Sequence, residues 1–567
     1  MKAKRLFSSV WKISLMTAGL FLFAAGCNDP VSDSGIPSPD VTPGNDGDWV
    51  AALEELFYDA GIIVPKDGSI QDAVDAAEPG SVIYVEPGEY YENITINKAG
   101  IRLVGLTGAD GDHVIVGGPG KGGITLGDAA TESAIINIQD DNSTQNEIRN
   151  DANARKGGKK QCKVTRKKVT SQIAHYVFEV RLSDRPYDIV RLHRVVREDR
   201  PNRPVRTRGA VFMLHGASLN FESVFLNAGT DSPDPKTSIS YYLASRDIDV
   251  WGLDFAWTLV PQETTDFSFM QDWGVERDAD HALAGLSIAR LIRGLTGQGV
   301  GRLNLLGYSY GVGVVYGAAG RETQEHPILR DIKGIIALDQ LMKFEPCGET
   351  AELRASVCEA AANFKAQLDA GTYQASQGVL LATVGNLAAS DPKGASPLPP
   401  FNGLTNYQAA LIVGASQSAN GTPGWHFVSG KFEDPNSPIP SGLLYTQPAR
   451  WIKTISSVPP HQPLRTTYEM RACVCDEEDV TFDDYISEIR VPILYLGAQG
   501  GFGTYGHYSA SLTGSTDITN YTVSLQPPDK RILDFGHGDI VLADNARQAM
   551  WEPLRKWLAS HNRDGFF

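Results

Sequence analysis

Cysteine, basic charge and long apolar runs are all scarce in this sequence. Only 6 of its 567 residues are cysteine, and Cys473-Val474-Cys475 lacks the spacing and the partner histidines of a zinc site. We therefore expect no metal and no cofactor. The formal net charge of −16 argues against nucleic acid as a partner, because binding phosphate groups needs a basic surface. Beyond the N-terminus, no segment is long and apolar enough to predict a membrane-spanning helix.

The N-terminus carries the one apolar run that has a targeting pattern. A basic stretch, Lys2 to Arg5, precedes apolar residues 13–23, and small residues then lead to Cys27. This order resembles a bacterial lipoprotein signal peptide over residues 1–26, which implies a lipid attached to Cys27. An ordinary secretory signal with an incidental cysteine is the alternative. Asn28 follows the cysteine, so the resemblance implies a lipid-anchored protein of the bacterial cell envelope, in the outer membrane.

Changes of composition predict two folded parts, since 567 residues exceed the size of one hydrophobic core. The segment after the signal peptide is rich in Pro, Ser, Asp and Gly, which is typical of a disordered tether. A basic run at 155–168 is typical of a solvated linker, with a patch for anionic lipid or polysaccharide as the alternative. The predicted parts are a signal peptide (1–26), a tether (27–48), a β-rich accessory domain (49–145), a basic linker (146–170) and an α/β domain (171–567) with an insertion (342–484).

The accessory domain shows short β-rich segments separated by Gly, Asp and Asn turns. A short amphipathic helix with Ile70, Val74 and Ala77 comes first, and strands are predicted at 82–85, 94–96, 101–104, 114–116 and 124–126. This spacing predicts stacked parallel coils. The phrase VIYVEPGEYYENITI and the following IRLVG resemble the opening coils of right-handed parallel β-helix proteins of the pectate-lyase type. The coils that carry lyase chemistry are missing, so we expect a structural or carbohydrate-associated role and no lyase activity.

The larger part alternates buried strands with helices, which predicts a mostly parallel sheet covered on both faces. Two alternating strands, 175–182 and 189–196, precede it. Buried strands are predicted at 210–214, 248–254, 303–306, 332–338, 491–496 and 530–535, with helices at 278–294 and 546–560. The Gly-, Ser- and Pro-rich insertion, with some helix around 351–368, predicts a cap or lid over a site.

Residues 307–311 read Gly-Tyr-Ser-Tyr-Gly and join a buried strand to a helix. This is the G-x-S-x-G nucleophile elbow, which holds a serine hydroxyl on a strained turn. Glycine is needed two residues to either side of Ser309 because strand and helix nearly collide there. The helix begins just after Ser309, so its free N–H groups can face developing negative charge.

Three motifs stand in one order along the chain. His215-Gly216 follows an early strand, Ser309 lies in the elbow, and His537 lies between two glycines after the last strand. Over roughly residues 170–567 this arrangement resembles the α/β-hydrolase superfamily and its lipases and esterases. The resemblance implies Ser309 as nucleophile, His537 as base, and the backbone N–H groups of Ala217 and Tyr310 as the oxyanion hole. His507, in another Gly- and Tyr-rich loop, is a second candidate base.

The acid of the triad departs from the commoner pattern of that superfamily. The loop at 497–503, where many relatives carry an aspartate, has no carboxylate. Asp339 ends the preceding strand, where some lipases of the superfamily carry their acid, and it is our predicted acid. Asp483, Asp484 or another acid of the insertion is the alternative. We interpret Asp254 as structural.

Two further expectations concern cysteine pairing and the pocket. Export permits disulfides, and Cys347 and Cys358 bracket a short segment, so we predict a bond between them. Aromatic residues near the motifs are expected to line a pocket for an apolar acyl group: Phe255, Trp257, Tyr308 and Tyr310.

The sequence therefore predicts a membrane-anchored serine hydrolase that cleaves carboxylic esters outside the cytoplasm through an acyl-enzyme. The lid favours a lipid-like ester, whereas the β-helix-like stretch favours an ester linked to a polysaccharide. A non-catalytic surface binding protein with a hydrolase fold is an alternative of another class, motivated by the missing acid at 497–503.

Overall fold

The computed structural model describes residues 61–562, apart from gaps at 107–113, 118–122, 128, 131–132, 137, 141–161, 184, 347, 418–421 and 435–436. The signal peptide, Cys27 and the tether lie outside the described residues. Within the described part, no helix combines the length and the apolar character needed to cross a membrane.

The accessory domain is built of short parallel strands in three sheets. Helix α1 (Ile70–Ala76) begins at Ser69, whose hydroxyl accepts from the Asp72 N–H. The strands are β1 (Ile62–Val64), β2 (Val82–Val85), β3 (Gly88–Tyr90), β4 (Asn93–Ile96), β5 (Arg102–Gly105), β6 (Val114–Val116), β7 (Gly123–Leu126), β8 (Ala134–Ile136) and β9 (Ile138–Asp140). The three sheets have the orders β1-β2-β5-β8, β3-β6-β9 and β4-β7.

Successive passes of the chain stack in register, with Ile83 opposite Leu103 and Leu103 opposite Ile135. The inward residues form a closed apolar core that includes Ile83, Leu103 and Val114. A second, smaller cluster joins Tyr84 and Leu106 to Leu291 of the large domain. Burial of these side chains holds the accessory domain against the large one.

The large domain has one long central sheet. Its strands are β10 (Cys162–Lys168), β11 (Ile173–Arg181), β12 (Ile189–Arg200), β13 (Ala210–Leu214), β14 (Asp249–Asp254), β15 (Leu303–Tyr308), β16 (Ile332–Leu338), β17 (Ile493–Ala498) and β18 (Ile518–Val523). Their order across the sheet is β10-β11-β12-β14-β13-β15-β16-β17-β18, with the short strand Arg203–Pro204 paired beside β12. The six strands β13 to β18 run parallel to one another. Strands β10 and β11 pair antiparallel, as do β11 and β12, and β12 pairs antiparallel with β14.

Helices cover both faces of this sheet, as strands buried on two sides require. They are α2 (Ile239–Ala244), α3 (Val275–Leu295), α4 (Tyr310–Glu322), α5 (Gly348–Asp369), α6 (Gln377–Ser390), α7 (Asn406–Ala415), α8 (Pro448–Ser456), α9 (Leu464–Ala472), α10 (Gly506–Ser511), α11 (Asp539–Leu542) and α12 (Glu552–His561). Residues of α3 and α4 belong to the core on one face, and residues of α2 and α12 belong to the core on the other. The predicted mixed α/β architecture with a large central sheet is thus confirmed. The insertion contributes α5 to α9, so it is far more helical than its composition indicated.

The register aligns the carboxyl ends of the central strands. Leu214 lies opposite Gly307, Tyr308 opposite Leu338, and Leu338 opposite Leu496. The residues that follow these strands therefore meet at one edge of the sheet, which is where ligands bind in open parallel sheets.

Two predicted boundaries are wrong. The basic linker was placed at 146–170, but its last part is strand β10, which pairs with β11 along its whole length. This strand lies at the edge of the sheet, where Lys163 and Lys167 are exposed. Charged side chains discourage further pairing at an open edge, so a basic segment suits this position.

The last strand was predicted at 530–535, but it is β18, and Pro528–Leu533 forms a short 3-10 helix. Three consecutive residues of β18, from Thr519 to Tyr521, are exposed because β18 is the other edge of the sheet. Its polar side chains concealed it in the sequence, where a buried apolar strand was expected.

Candidate active site

Ser309 lies in a sharp turn between β15 and α4. Its backbone has φ 54° and ψ −122°, a conformation that residues other than glycine rarely adopt. A Cβ on Gly307 would lie 2.3 Å from the Gly311 carbonyl oxygen, and a Cβ on Gly311 would lie 2.5 Å from the Leu214 carbonyl oxygen. Both glycines are therefore required by close backbone approach. The strained turn projects a half-buried serine from the end of the sheet.

Asp339 follows β16, next to the elbow, and its side chain is fully buried. Its Oδ1 accepts three backbone N–H groups, from Ala498 (2.8 Å), Phe502 (3.0 Å) and Gly503 (3.2 Å). Its Oδ2 lies 2.7 Å from Nδ1 of His537. Three donors on one oxygen hold the carboxylate in place and leave the other oxygen to the imidazole. With a proton on Nδ1, the neutral imidazole presents Nε2 as an acceptor.

The loop that carries His537 is held by the insertion. The His537 N–H donates to the carbonyl of His426 at 3.0 Å, and the ring of Trp425 lies with its centroid 5.1 Å from the imidazole centroid. On the other side, the Tyr308 ring stacks on the imidazole at 4.9 Å, and its hydroxyl donates to the His537 carbonyl. The segment around residue 426 is thus a platform for the histidine, which the sequence did not reveal.

Asp539 joins the same loop to the insertion through hydrogen bonds. Its Oδ2 accepts the N–H of Gly536 at 2.8 Å and that of Ser429 at 3.0 Å, and its Oδ1 accepts the Thr446 hydroxyl at 2.6 Å. Burial raises the pKa of this carboxyl to about 6. Two of these bonds, to Ser429 and Thr446, tie the histidine loop to the insertion, so the position of His537 depends on residues distant in sequence.

Tyr310 and Ala217 flank the serine. Tyr310 begins α4, and its hydroxyl donates to Oδ2 of the buried Asp278 at 2.7 Å, an oxygen that also accepts the Trp257 indole N–H at 3.1 Å. Burial raises the pKa of the Asp278 carboxyl. These bonds hold the first turn of α4, which begins at the residue after Ser309.

His215, in the turn before Ala217, is buried among protein groups. Its Nδ1 lies 2.9 Å from the Gly216 carbonyl oxygen, and its Nε2 accepts the Phe255 N–H at 3.4 Å. Burial lowers the pKa of His215 to about 4, so the ring is neutral at pH 7. Asp254 accepts the N–H of Phe221 at 2.7 Å, beyond the same turn. These contacts shape the turn rather than reach a substrate.

Ser309, His537, Ala217 and Tyr310 all line one cavity, whose empty volume is about 1270 Å³ including the part open to solvent. The insertion supplies much of its apolar wall, with Phe344, Val357, Leu381, Trp451, Ile455 and Val474. Of the aromatic residues expected to line a pocket, Tyr308 and Tyr310 do so. Phe255 and Trp257 do not, because their rings pack against His215 in the core.

The alternative acids and base lie elsewhere. Asp483 is 2.9 Å from the ammonium of Lys343, and Asp484 is exposed. His507 bonds through Nε2 to the Thr522 hydroxyl at 3.0 Å and does not line the cavity. Within the described part of the chain, Asp339 is the carboxylate bonded to His537.

The predicted disulfide between Cys347 and Cys358 is wrong. Cys358 bonds to Cys475, 117 residues further along, with a Cα–Cα distance of 5.6 Å. Helices α5 and α9 pack against each other and bring the two cysteines together. Cys347 lies outside the described residues, and Cys473 is a buried free thiol. Closeness in sequence misled the prediction because Cys475 lies in the short 3-10 helix Cys473–Cys475 after α9, and this segment also packs against α5.

Among the residues that the structure describes, one group of potential metal ligands lies away from the cavity, at His175, His193 and Glu222. The two imidazoles bond to each other, with Nε2 of His175 2.9 Å from Nδ1 of His193 and the ring planes 11° apart. Rings joined edge to edge in one plane direct these nitrogens at each other. The pair is therefore arranged as a buried hydrogen bond and not as converging metal ligands.

No family model matches the chain, and no curated protein matches it. Solved structures do. A candidate lipase from Sulfolobus solfataricus is 17% identical with a TM-score of 0.47, covering 71% of this chain and 99% of that one. A thermophilic esterase from Thermogutta terrifontis is 15% identical with a TM-score of 0.35, covering 68% and 99%. The Cif epoxide hydrolase from Acinetobacter nosocomialis is 13% identical with a TM-score of 0.35, covering 69% and 90%. These values are too low to assign a family, so the chemistry is inferred from the site itself.

Proposed function

We propose that this protein is a serine hydrolase of carboxylic esters, with Ser309 as nucleophile, His537 as general base and Asp339 as the acid that orients the imidazole. The observation that carries the proposal is the 2.7 Å contact between Asp339 and His537, made beside a serine on a strained elbow in the same cavity. A serine hydroxyl is a weak nucleophile until a neighbouring imidazole takes its proton, and the imidazole needs a fixed tautomer to do so.

The proposed reaction has two halves. Ser309 Oγ attacks the ester carbonyl carbon while its proton passes to Nε2 of His537. The tetrahedral intermediate then expels the alcohol, which takes that proton, and the acyl group stays on Ser309. Water repeats the sequence: its proton passes to His537, its oxygen bonds to the acyl carbon, and Ser309 leaves with the proton.

The intermediate needs donors for its oxyanion, and we assign the backbone N–H groups of Ala217 and Tyr310. Tyr310 is the first residue of α4, where N–H groups have no intrahelical partner. Within the described part of the chain, neither amide donates a hydrogen bond to another protein group. Donors fixed in advance by the turn and the helix start stabilise the charge as it develops.

We further propose that helices α5, α6, α8 and α9 of the insertion form a cap and that the preferred substrate is a lipid-like ester. The apolar wall that these helices supply supports this, since burial of an acyl chain against it is favourable. The accessory domain, which we propose to be a short β-helix-like unit, favours the second candidate, an ester linked to a polysaccharide. Its stacked parallel sheets are the specific observation for that alternative.

A fluorophosphonate probe tests the nucleophile. We expect the wild type and a Ser390→Ala control to be labelled, because Ser390 is exposed on α6, and Ser309→Ala to be unlabelled. An unlabelled wild type would favour the non-catalytic binding protein. Rates on p-nitrophenyl butyrate, a long-chain p-nitrophenyl ester and an acetylated polysaccharide then separate the two substrate classes.

The acid is tested by Asp339→Asn beside Asp484→Asn. Asp339→Asn places an amide against Nδ1 and disfavours the required tautomer, so turnover of p-nitrophenyl butyrate is expected to fall about 10⁴-fold. Asp484 is exposed, and its variant is expected to keep wild-type turnover. Equal rates for the two variants would remove Asp339 from the mechanism.

We also propose attachment to the bacterial cell envelope through a lipid on Cys27. The basic, apolar and small-residue order of residues 1–26 supports this. In bacterial cells given radiolabelled palmitate, the wild type is expected to carry label in the membrane fraction and Cys27→Ser to carry none. Label that persists in Cys27→Ser would exclude this anchor.

A further inference from the structure

The turn at 215–218 lies directly against the proposed nucleophile. A Cβ on Gly216 would lie 3.0 Å from the Cβ of Ser309, so the backbone of the turn passes close beside that residue. Ala217, whose N–H we assign to the oxyanion hole, is the next residue of the turn. A small displacement of the turn therefore moves this donor relative to an ester that reacts at Ser309.

Ser218 ends the turn in a strained conformation. Its backbone φ is 54°, in the left-handed region that favours glycine, and the residue is fully buried. A conformation of this kind persists only where the surrounding structure determines it. The position of Ser218, and with it the position of the turn, therefore depends on the groups packed around this residue.

The insertion supplies the hydrogen-bond partner of the Ser218 hydroxyl. Oγ of Ser218 donates to Oε1 of Gln462 at 3.1 Å. Gln462 is itself only 2% exposed, and its backbone carbonyl accepts the Ala375 N–H at 2.9 Å. Gly378, on α6, also packs closely against this hydroxyl, since a Cβ there would lie 3.1 Å from the same Oγ. Two segments of the insertion thus enclose the hydroxyl that ends the turn.

The hydrogen bonds of Gln462 run in one direction, and they require an amide. Thr466 has one hydroxyl proton, which it donates to the Pro463 carbonyl at 2.8 Å. Its oxygen therefore accepts from Nε2 of Gln462, at 3.0 Å. This donation leaves Oε1 of the same amide as the acceptor for Ser218. A side chain at this position must donate at one atom and accept at the other, as glutamine does.

We propose that Gln462 is a positioning residue for the oxyanion hole. Through its bond to Ser218, it holds the turn that presents the Ala217 N–H to the reacting ester. The insertion thereby contributes to the chemical step as well as to the apolar wall of the cavity. This inference rests on the proposed hydrolase function and on Ala217 as an oxyanion donor.

The test separates the oxyanion hole from folding by comparing an ester with its thiono analogue. Sulfur accepts hydrogen bonds more weakly than oxygen, so p-nitrophenyl thionobutyrate, with C=S at the reacting carbon, gains less from the oxyanion donors than p-nitrophenyl butyrate does. The ratio of kcat/KM for the oxygen ester to that for the thiono ester therefore reports the alignment of those donors. A smaller folded fraction lowers both rates equally and leaves the ratio unchanged.

The variants are Gln462→Met, Ser218→Ala and the double variant. Methionine keeps the length of the glutamine side chain and removes both of its hydrogen bonds. Gln374→Met is the matched control, because Gln374 contacts the same segment of the insertion, 2.7 Å from Nδ1 of His461, and does not line the cavity. Fluorophosphonate labelling counts the folded sites in each preparation.

We expect Gln462→Met and Ser218→Ala each to lower kcat about 10- to 100-fold with little change in KM, because outright loss of an oxyanion donor costs about 10²- to 10³-fold. The oxygen-to-thiono ratio is expected to fall in both variants. Since the two residues act through one bond, the double variant should lose little more than either single variant. Gln374→Met is expected to keep the wild-type kcat and the wild-type ratio.

Three results would overturn the role of Gln462 and leave the proposed function standing. These are an unchanged ratio in Gln462→Met, losses that multiply in the double variant, and an equal fall of the ratio in Gln374→Met. A wild type that neither reacts with the fluorophosphonate probe nor hydrolyses p-nitrophenyl butyrate would overturn the proposed function and this inference together.

Discussion

Gly501 faces the Asp339 carboxylate, and adding one methyl group there tests the geometry of the proposed triad without changing any of its members. In Gly501→Ala the new Cβ would lie 1.9 Å from Oδ2 of Asp339, the oxygen that contacts His537. Gly501 is not among the residues with positive φ, so its backbone conformation suits alanine and the perturbation is purely steric.

The backbone at 501 cannot easily move away. The Gly501 N–H donates to the Ala498 carbonyl at 2.8 Å, and its carbonyl accepts from the Thr422 hydroxyl at 3.1 Å and from Arg531 Nη2 at 3.0 Å. Three backbone donors also hold Oδ1 of Asp339. Relief of the collision therefore comes from turning Oδ2 away from His537.

Cβ contacts below 3.0 Å are essentially never observed, so Oδ2 must shift by about 1.1 Å from its 1.9 Å starting distance. That displacement breaks the hydrogen bond to Nδ1. We expect kcat to fall about 10²- to 10⁴-fold, since misplacement by 1 Å and loss of the orienting acid have effects of this size. Overpacking is expected to lower the free energy of unfolding by about 1–3 kcal/mol.

The assay is turnover of p-nitrophenyl butyrate beside thermal unfolding. Gly442→Ala is the matched control, because a Cβ at Gly442 would have no heavy atom within 4 Å. In an Asp339→Ala background the space at Oδ2 is empty, so Gly501→Ala should cost little further activity or stability. Wild-type kcat in Gly501→Ala, or an equal loss in both backgrounds, would refute this account of the triad.

Two further predictions concern stability. The disulfide between Cys358 and Cys475 joins residues 117 apart, so reductant is expected to lower the free energy of unfolding in urea by about 3–5 kcal/mol; Cys358→Ser should be insensitive to reductant, and a wild type equally insensitive would argue against the bond. Burial raises the pKa of the Asp539 carboxyl to about 6, so between pH 3.8 and 6 this carboxyl is protonated in the folded protein and ionised in the unfolded chain. Its contribution to the free energy of unfolding is therefore fully present below pH 3.8 and is lost as the pH rises through 6. The difference in unfolding free energy between the wild type and Asp539→Asn should therefore change by about 3 kcal/mol between pH 3.5 and 7, in favour of Asn at the higher pH; a difference independent of pH would contradict this.

Local pattern was sufficient for the elements that are buried on both sides. The strand predicted at 332–338 has those bounds in the structure, and the helix predicted at 278–294 lies within α3. A continuous apolar run leaves a segment one favourable environment, so its place in the core follows from its composition. The edge strands β10 and β18 were not predicted, because their exposed residues are polar or basic, as residues of loops are.

Long-range contacts explain the other differences. Cys358 pairs with Cys475 and not with its neighbour in sequence because helix packing decides which sulfurs meet. The platform under His537 comes from residues about 110 positions earlier, and the bonds of Asp539 to Ser429 and Thr446 have no sequence signature. Backbone carbonyl and N–H groups make two of these contacts, and every residue except proline carries both groups.

By itself, the sequence determined the buried central strands, the serine on its glycine-flanked elbow, and the candidate residues that follow those strands. These features depend on periodicity and on positions that exclude a Cβ, which are local properties. Only the tertiary structure decided that Asp339 and His537 lie 2.7 Å apart while Asp483 pairs with Lys343. The physical reason is that strand register and helix packing set distances between residues far apart in the chain, and no local pattern encodes those distances.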